Sequence, residues 1–103
     1  MAADLRWSLK ARQDLLEIYV AIGRENTVAA ERFYDRLKER AEHLNDQPKI
    51  GPRRDDIRAG IRMLVVRPYL IFYRIAPDSD GQSVKTIRIL RVVDGRRELR
   101  GVI

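Results

Sequence analysis

Apolar positions along this chain recur with two different periods, and the change of period marks its elements. Asp4 to Trp7 alternates polar and apolar residues and leads into Ser8, so it reads as a short strand ending at a helix N-cap. From Leu9 the spacing changes. Ala11, Leu15, Ile18 and Ile22 stand four, three and four apart, which places them along one stripe of a helix with Tyr19 flanking it. This helix is expected from about Leu9 to Ile22, closed by Gly23 in the left-handed conformation. Asn26 or Thr27 can cap a second helix, in which Ala30, Phe33, Leu37, Ala41 and Leu44 keep the same spacings to about Asn45. Its other face carries Glu31, Arg32, Asp35, Arg36, Lys38, Glu39 and Arg40, the alternation of signs of a solvated wall. The few residues between the helices force an antiparallel pair.

The second half of the chain has the strand pattern. Two β-branched and aromatic runs, Tyr69 to Ile75 and Val84 to Val93, are joined by the polar segment Pro77 to Ser83. Asp80-Gly81 within it supplies the positive φ that a hairpin turn needs. Ile61 to Val66 is a further strand, entered through Gly60 and separated from Tyr69 only by Arg67-Pro68, so a second hairpin is expected. Pro48 and Pro52 bracket a loop, and Arg53-Arg54-Asp55-Asp56 is too charged for a core strand. The expected architecture is α+β: an N-terminal short strand and an antiparallel two-helix hairpin packed on a three- to four-stranded antiparallel sheet. At 103 residues it is expected to be one domain, 1–103.

Charge adds something the pattern does not. Lys and Arg number 21 against 15 Asp and Glu, a net charge of +6. The excess is local: residues 1 to 46 balance at −1, and residues 47 to 103 at +7. Such a basic half attracts phosphate backbones or an acidic protein partner, or else is a solvated surface that aids solubility. With no cysteine there is neither a disulfide framework nor a thiolate metal site. No apolar run reaches the length of a membrane span and no signal-peptide pattern opens the chain, so a cytoplasmic protein without membrane contact is expected.

Catalytic constellations are hard to find. Asp55-Asp56, Asp78 and Asp80 lie in loops without the spacing of a calcium site, so no metal is expected. Ser8, Ser79 and Ser83 have no histidine to activate them, and no phosphate-binding glycine loop is present. The single histidine, His43, sits in the last turn of the second helix, where it complements the helix dipole. No cofactor is implied.

An ordered set of short motifs carries a resemblance over nearly the whole chain. Ser8-x-x-Ala11-x-x-Asp14-Leu15-x-x-Ile18-Tyr19 comes first, then Ala29-Ala30-x-x-Phe33, then Leu44-x-x-x-Pro48-x-x-Gly51-x-x-Arg54. Gly60-Ile61-Arg62, Tyr69-x-Ile71-Phe72-Tyr73-Arg74 and Ile89-Leu90-Arg91-Val92-x-x-Gly95-Arg96-Arg97-Glu98-Leu99 follow. Together they resemble the ParE/RelE superfamily of toxins from type II toxin–antitoxin pairs, whose fold of a helical hairpin on a twisted antiparallel sheet agrees with the elements above.

The superfamily implies one of two activities. RelE-like members are ribosome-dependent mRNA endonucleases; ParE-like members inhibit DNA gyrase by trapping it on cleaved DNA. The RelE pattern has an arginine after the tyrosine that opens the third strand, where this chain has Leu70, and a tyrosine six residues beyond Arg97, where it has Ile103. Only the basic turn Gly95-Arg96-Arg97 is kept, with Arg97 at the phosphate-binding position. The ParE-like reading is therefore preferred: a protein inhibitor rather than a nuclease. Candidates for its target-binding surface are Arg62, Arg91, Arg96, Arg97 and Arg100, although Arg62 and Arg91 could instead brace the sheet by pairing with helix carboxylates.

The resemblance also implies a ParD-like antitoxin in a hetero-oligomer. Leu16, Tyr19, Val20 and Tyr34 exceed what one apolar stripe can bury, and beside a basic half they suit an acidic amphipathic segment that folds on binding. The alternative is that they complete the protein's own core or a homodimer interface. The remaining readings are a RelE-like nuclease and a nontoxic nucleic-acid-binding or interaction module on the same fold.

Overall fold

The computed structural model describes residues 3–97 and 99, and the first helix begins where its sequence says it should. Ser8 is extended (φ −66°, ψ 161°), and its hydroxyl accepts the Ala11 N–H, so α1 runs Leu9–Gly23. Asn26 caps α2, Thr27–Glu42, in the same way, accepting the Ala29 N–H at 2.9 Å. Each such cap satisfies a backbone donor that the helix leaves orphaned, typically worth about 1 kcal/mol. A 3-10 turn, His43–Asn45, continues α2, and His43 is the C-cap. Gly23 departs from expectation: it is the last residue of α1, and Arg24 closes that helix in right-handed geometry. Positive φ occurs only at Gly60 (79°) and Gly81 (80°) among the described residues, where the two strand entries turn.

The strands are β1 (Asp4–Trp7), β2 (Arg62–Val66), β3 (Tyr69–Ala76) and β4 (Thr86–Asp94), in the sheet order β1-β4-β3-β2. The α+β class and the helical hairpin are as expected, with one correction: the sheet is mixed. β2–β3 and β3–β4 are antiparallel, but β1 runs parallel to β4, Asp4 opposite Thr86 and Trp7 opposite Ile89. A tight turn dictates opposite directions for its two strands. β1 and β4 are joined through all the rest of the fold, so no turn sets their sense.

One face of the sheet is covered by the helices. Phe33, Leu37 and Ala41 of α2 and Leu44 beyond it pack on Leu64, Val66, Ile71, Tyr73, Ile75, Ile87, Ile89 and Val92. Burying each large side chain there contributes roughly 1.5–3 kcal/mol. The smaller helix α1 buries only Ala11 and Asp14, and holds Leu15, Ile18 and Ile22 half-buried. The other face is divided. Ile61, Leu70, Phe72 and Val93 form a second cluster, with Ile57 and Leu99 against it, while the remainder lies open.

Candidate functional site

Two inward-facing arginines tie the covered side of the fold together. Asp14 stands on the same stripe of α1 as Ala11 and Ile18, so helical geometry points its carboxylate at the sheet. Arg91 of β4 meets it with two bonds, Nε to Oδ2 at 2.7 Å and Nη2 to Oδ1 at 3.0 Å, and the Val92 N–H donates to the same Oδ2 at 3.0 Å. The Ser8 hydroxyl donates to the Leu90 carbonyl at 2.9 Å, and the Ser8 N–H donates to Ile89 O at 2.8 Å. These contacts fall where the β3–β4 register shifts, Phe72 facing Arg91 but Tyr73 facing Ile89. Leu90 is the extra residue of a bulge, and the start of α1 satisfies the backbone groups that β1, ending at Trp7, no longer reaches.

The second inward arginine, Arg62, opens β2. Its Nε and Nη2 bind Asp78 at 3.1 and 2.9 Å, and its Nη1 donates to the carbonyls of Gly51 (2.7 Å) and Lys49 (3.3 Å). Tyr73 completes this clamp on the 48–51 loop: its hydroxyl accepts the Gly51 N–H and donates to Pro48 O, both at 2.9 Å. A Cβ at Gly51 would lie 2.7 Å from both the Met63 carbonyl and the Tyr73 hydroxyl, so only glycine lets the loop come this close. The Arg62 guanidinium holds the Asp78 carboxyl below its ordinary value, whereas burial pushes the Tyr73 hydroxyl up.

Of the five arginines expected to form a basic target surface, the four described ones do not share one surface. Arg62 and Arg91 are internal, the former on a loop carboxylate and the latter on a helix carboxylate. Arg96 folds back on Asp94, with Nε 2.9 Å from Oδ1, and this pairing and the Arg96 N–H lower Asp94 to about 2. Arg97 is exposed at the same turn, and Arg100 lies outside the described residues. Two other loop carboxylates are similarly engaged: Asp55 accepts the Gly60 N–H and Arg53, and Asp56 binds Arg54. Among the described residues no group of three His, Cys, Asp or Glu side chains could hold a metal ion.

The apolar candidates do converge. Leu16, Tyr19 and Tyr34 line a groove of about 510 Å³ with Trp7, Leu15 and two basic residues, Arg12 and Lys38. Val20, one turn beyond Leu16, is exposed beside it. Leu16 is 62% exposed, so it completes no core. The groove wall is fixed by an edge-on contact of Tyr19 with Tyr34 (centroids 6.1 Å apart), by the Tyr19 hydroxyl donating to Glu31, and by Lys38 Nζ lying 5.8 Å from the Tyr34 ring centroid.

Comparison with known proteins agrees with this architecture. A family model described as the ParE toxin of the type II toxin–antitoxin system parDE matches residues 5–99. Toxin ParE3 of Caulobacter vibrioides is 31% identical over 87 residues, covering 84% of this chain and 80% of that protein. Among solved structures, the chromosomal ParDE TA system from P. aeruginosa shares the fold, with a TM-score of 0.72 at 24% identity over 90% of this chain and 96% of its own. The chain belongs to the ParE toxin family. It is a ParE-type toxin of the type II toxin–antitoxin class. No helix among the described residues is long and apolar enough to cross a membrane.

Proposed function

We propose that this ParE-type toxin acts in the cytoplasm as a protein inhibitor of DNA gyrase and is neutralised by a ParD-like antitoxin in a hetero-oligomer. What supports the gyrase reading over mRNA cleavage is Leu70. The RelE-like pattern calls for an arginine there, but the side chain is 8% exposed and belongs to the cluster of Ile61, Phe72 and Val93. An arginine in that position would bury an unpaired cation, at a cost of several kcal/mol. Cleavage through a ribose 2′-hydroxyl needs a general base and acid within hydrogen-bond reach of the reacting groups. At this position the sheet offers a core leucine.

The test is to incubate the purified protein with gyrase, ATP and supercoiled plasmid, denature the enzyme and look for linear DNA, with a parallel translation reaction probed for mRNA cleavage. Linear plasmid with intact mRNA is expected. Cut mRNA with untouched plasmid overturns the reading.

The antitoxin reading rests on the groove between α1 and α2. An amphipathic segment would place apolar anchors against Leu16, Tyr19 and Tyr34 and carboxylates near Arg12 and Lys38. Leu16→Asp should weaken binding of a ParD-like antitoxin at least about tenfold. The thermal midpoint of the free toxin should be unchanged, because Leu16 is exposed there.

A further inference from the structure

The open part of the sheet's outer face carries a row of arginines. Arg6 of β1 is the register partner of Arg88 of β4, and Arg88 is the register partner of Arg74 of β3. Their neighbours along the strands, Leu5 and Trp7, Ile87 and Ile89, Tyr73 and Ile75, all belong to the helix-covered core. Alternation therefore turns all three arginines to the side away from the helices, where each is exposed. Like charges directly opposite across strands are destabilising. Little relieves them within the fold. Arg6 shares Asp4 (2.9 Å, both ends exposed), Arg74 donates to the Ala59 carbonyl (2.7 Å), and the Arg88 side chain has no hydrogen bond or ion pair among the described residues.

We propose that Arg6, Arg88 and Arg74 form a binding track for a nucleic-acid phosphate backbone. Two strand spacings separate the ends of the row, about 10 Å between Cα positions. That matches roughly three nucleotide steps, the span of about four successive phosphates, at about 3.4 Å of rise per nucleotide of one strand. Each guanidinium keeps donors to spare, since arginine has five and the internal contacts of Arg6 and Arg74 use only one or two of them. On one side of the row the side chains are small, with exposed Ala76 and Thr86 in the next outward register position. Recognition of an acidic peptide would call for an apolar anchor in a pocket, whereas a phosphate track calls only for regularly spaced cations. This site lies apart from the α1–α2 groove and requires neither gyrase nor antitoxin.

Binding of the purified full chain to a fluorescein-labelled DNA duplex and to a labelled single-stranded RNA is followed by anisotropy between about 50 and 200 mM salt. Arg88→Gln should make the plot of log affinity against log salt shallower by about 0.9 on duplex or about 0.7 on a single strand, and Arg6→Gln/Arg74→Gln/Arg88→Gln by about three times as much. Arg88→Lys should keep most of the slope. The loss should be alike on unrelated sequences, and whichever probe shows the larger change is the nucleic acid the track fits. Thermal melting verifies that each variant is folded. Wild-type slopes in the triple variant overturn the proposal. So does a triple variant that binds both probes normally but loses an acidic antitoxin, which would make the row a protein-docking surface.

Discussion

On the side of the sheet covered by the helices and the 48–51 loop, Arg91 and Arg62 each meet a carboxylate through two bonds, at side-chain exposures of 18% and 11%. On the opposite side Arg88 lies between Arg6 and Arg74 and meets no carboxylate among the described residues. The residue type and the strands are partly the same, yet the physical task differs. A buried guanidinium loses hydration that only a matched anion and carbonyls can replace, so the inward arginines are locked and serve the fold. An exposed guanidinium keeps its water, so the outward row tolerates repulsion at small cost and leaves donors for a ligand. Counting basic residues cannot separate these roles, because the side of the sheet decides them.

The sharpest way to break this contrast is to remove the anion from the covered side. Asp14→Ala takes the shared carboxylate from Arg91 and the Val92 N–H together, and should lower unfolding free energy by about 3–5 kcal/mol in urea titrations. Tyr73→Phe takes both partners from the 48–51 loop, the Gly51 N–H and the Pro48 carbonyl, and should cost about 1–3 kcal/mol by the same measurement.

A smaller effect should appear in the pH dependence. Asp78 has its folded-state pKa lowered by Arg62, so the pair stabilises the fold above the ordinary carboxylate range. That contribution is lost as pH falls through the lowered value. Asp78→Asn should flatten this part of the stability curve on the acid side and leave its shape near neutrality unaltered. Smallest of all, Arg88→Gln should change unfolding free energy by no more than about 0.5 kcal/mol, with any change a gain, since it relieves repulsion on the open face. A loss of several kcal/mol there would erase the distinction between the two faces.

Much of the fold could be read from the chain itself because its causes are local. Ser8 and Asn26 are small polar residues that accept the N–H groups of the first helical turn, and both helices begin beside them. The 3.6-residue stripe of α2 became a buried face, and Asp80-Gly81 became a turn at positive φ. Gly23 shows the limit of such reasoning. Glycine permits a left-handed stop, but Arg24 and the short link to Asn26 close the helix without one.

The site was less legible. Of the four side chains picked out as apolar excess beyond a single stripe, Leu16, Tyr19 and Tyr34 line the groove and Val20 lies exposed beside it. Asp14 could have been noticed as a carboxylate on the apolar stripe of α1, but its partner is 77 residues away, and nothing local names it. Asp78 looked like an ordinary loop aspartate until β2 brought Arg62 to it.

The sequence by itself determined the helices, their caps, the strand candidates, the basic second half and the apolar excess on α1 and α2, since propensity and periodicity act within a few residues. Tertiary structure alone decided that β1 lies parallel to β4, that Arg91 and Arg62 turn inward, and that Arg6, Arg88 and Arg74 share one row. Those outcomes depend on register between strands far apart in the chain, and register is set by the packing of the whole sheet against the helices.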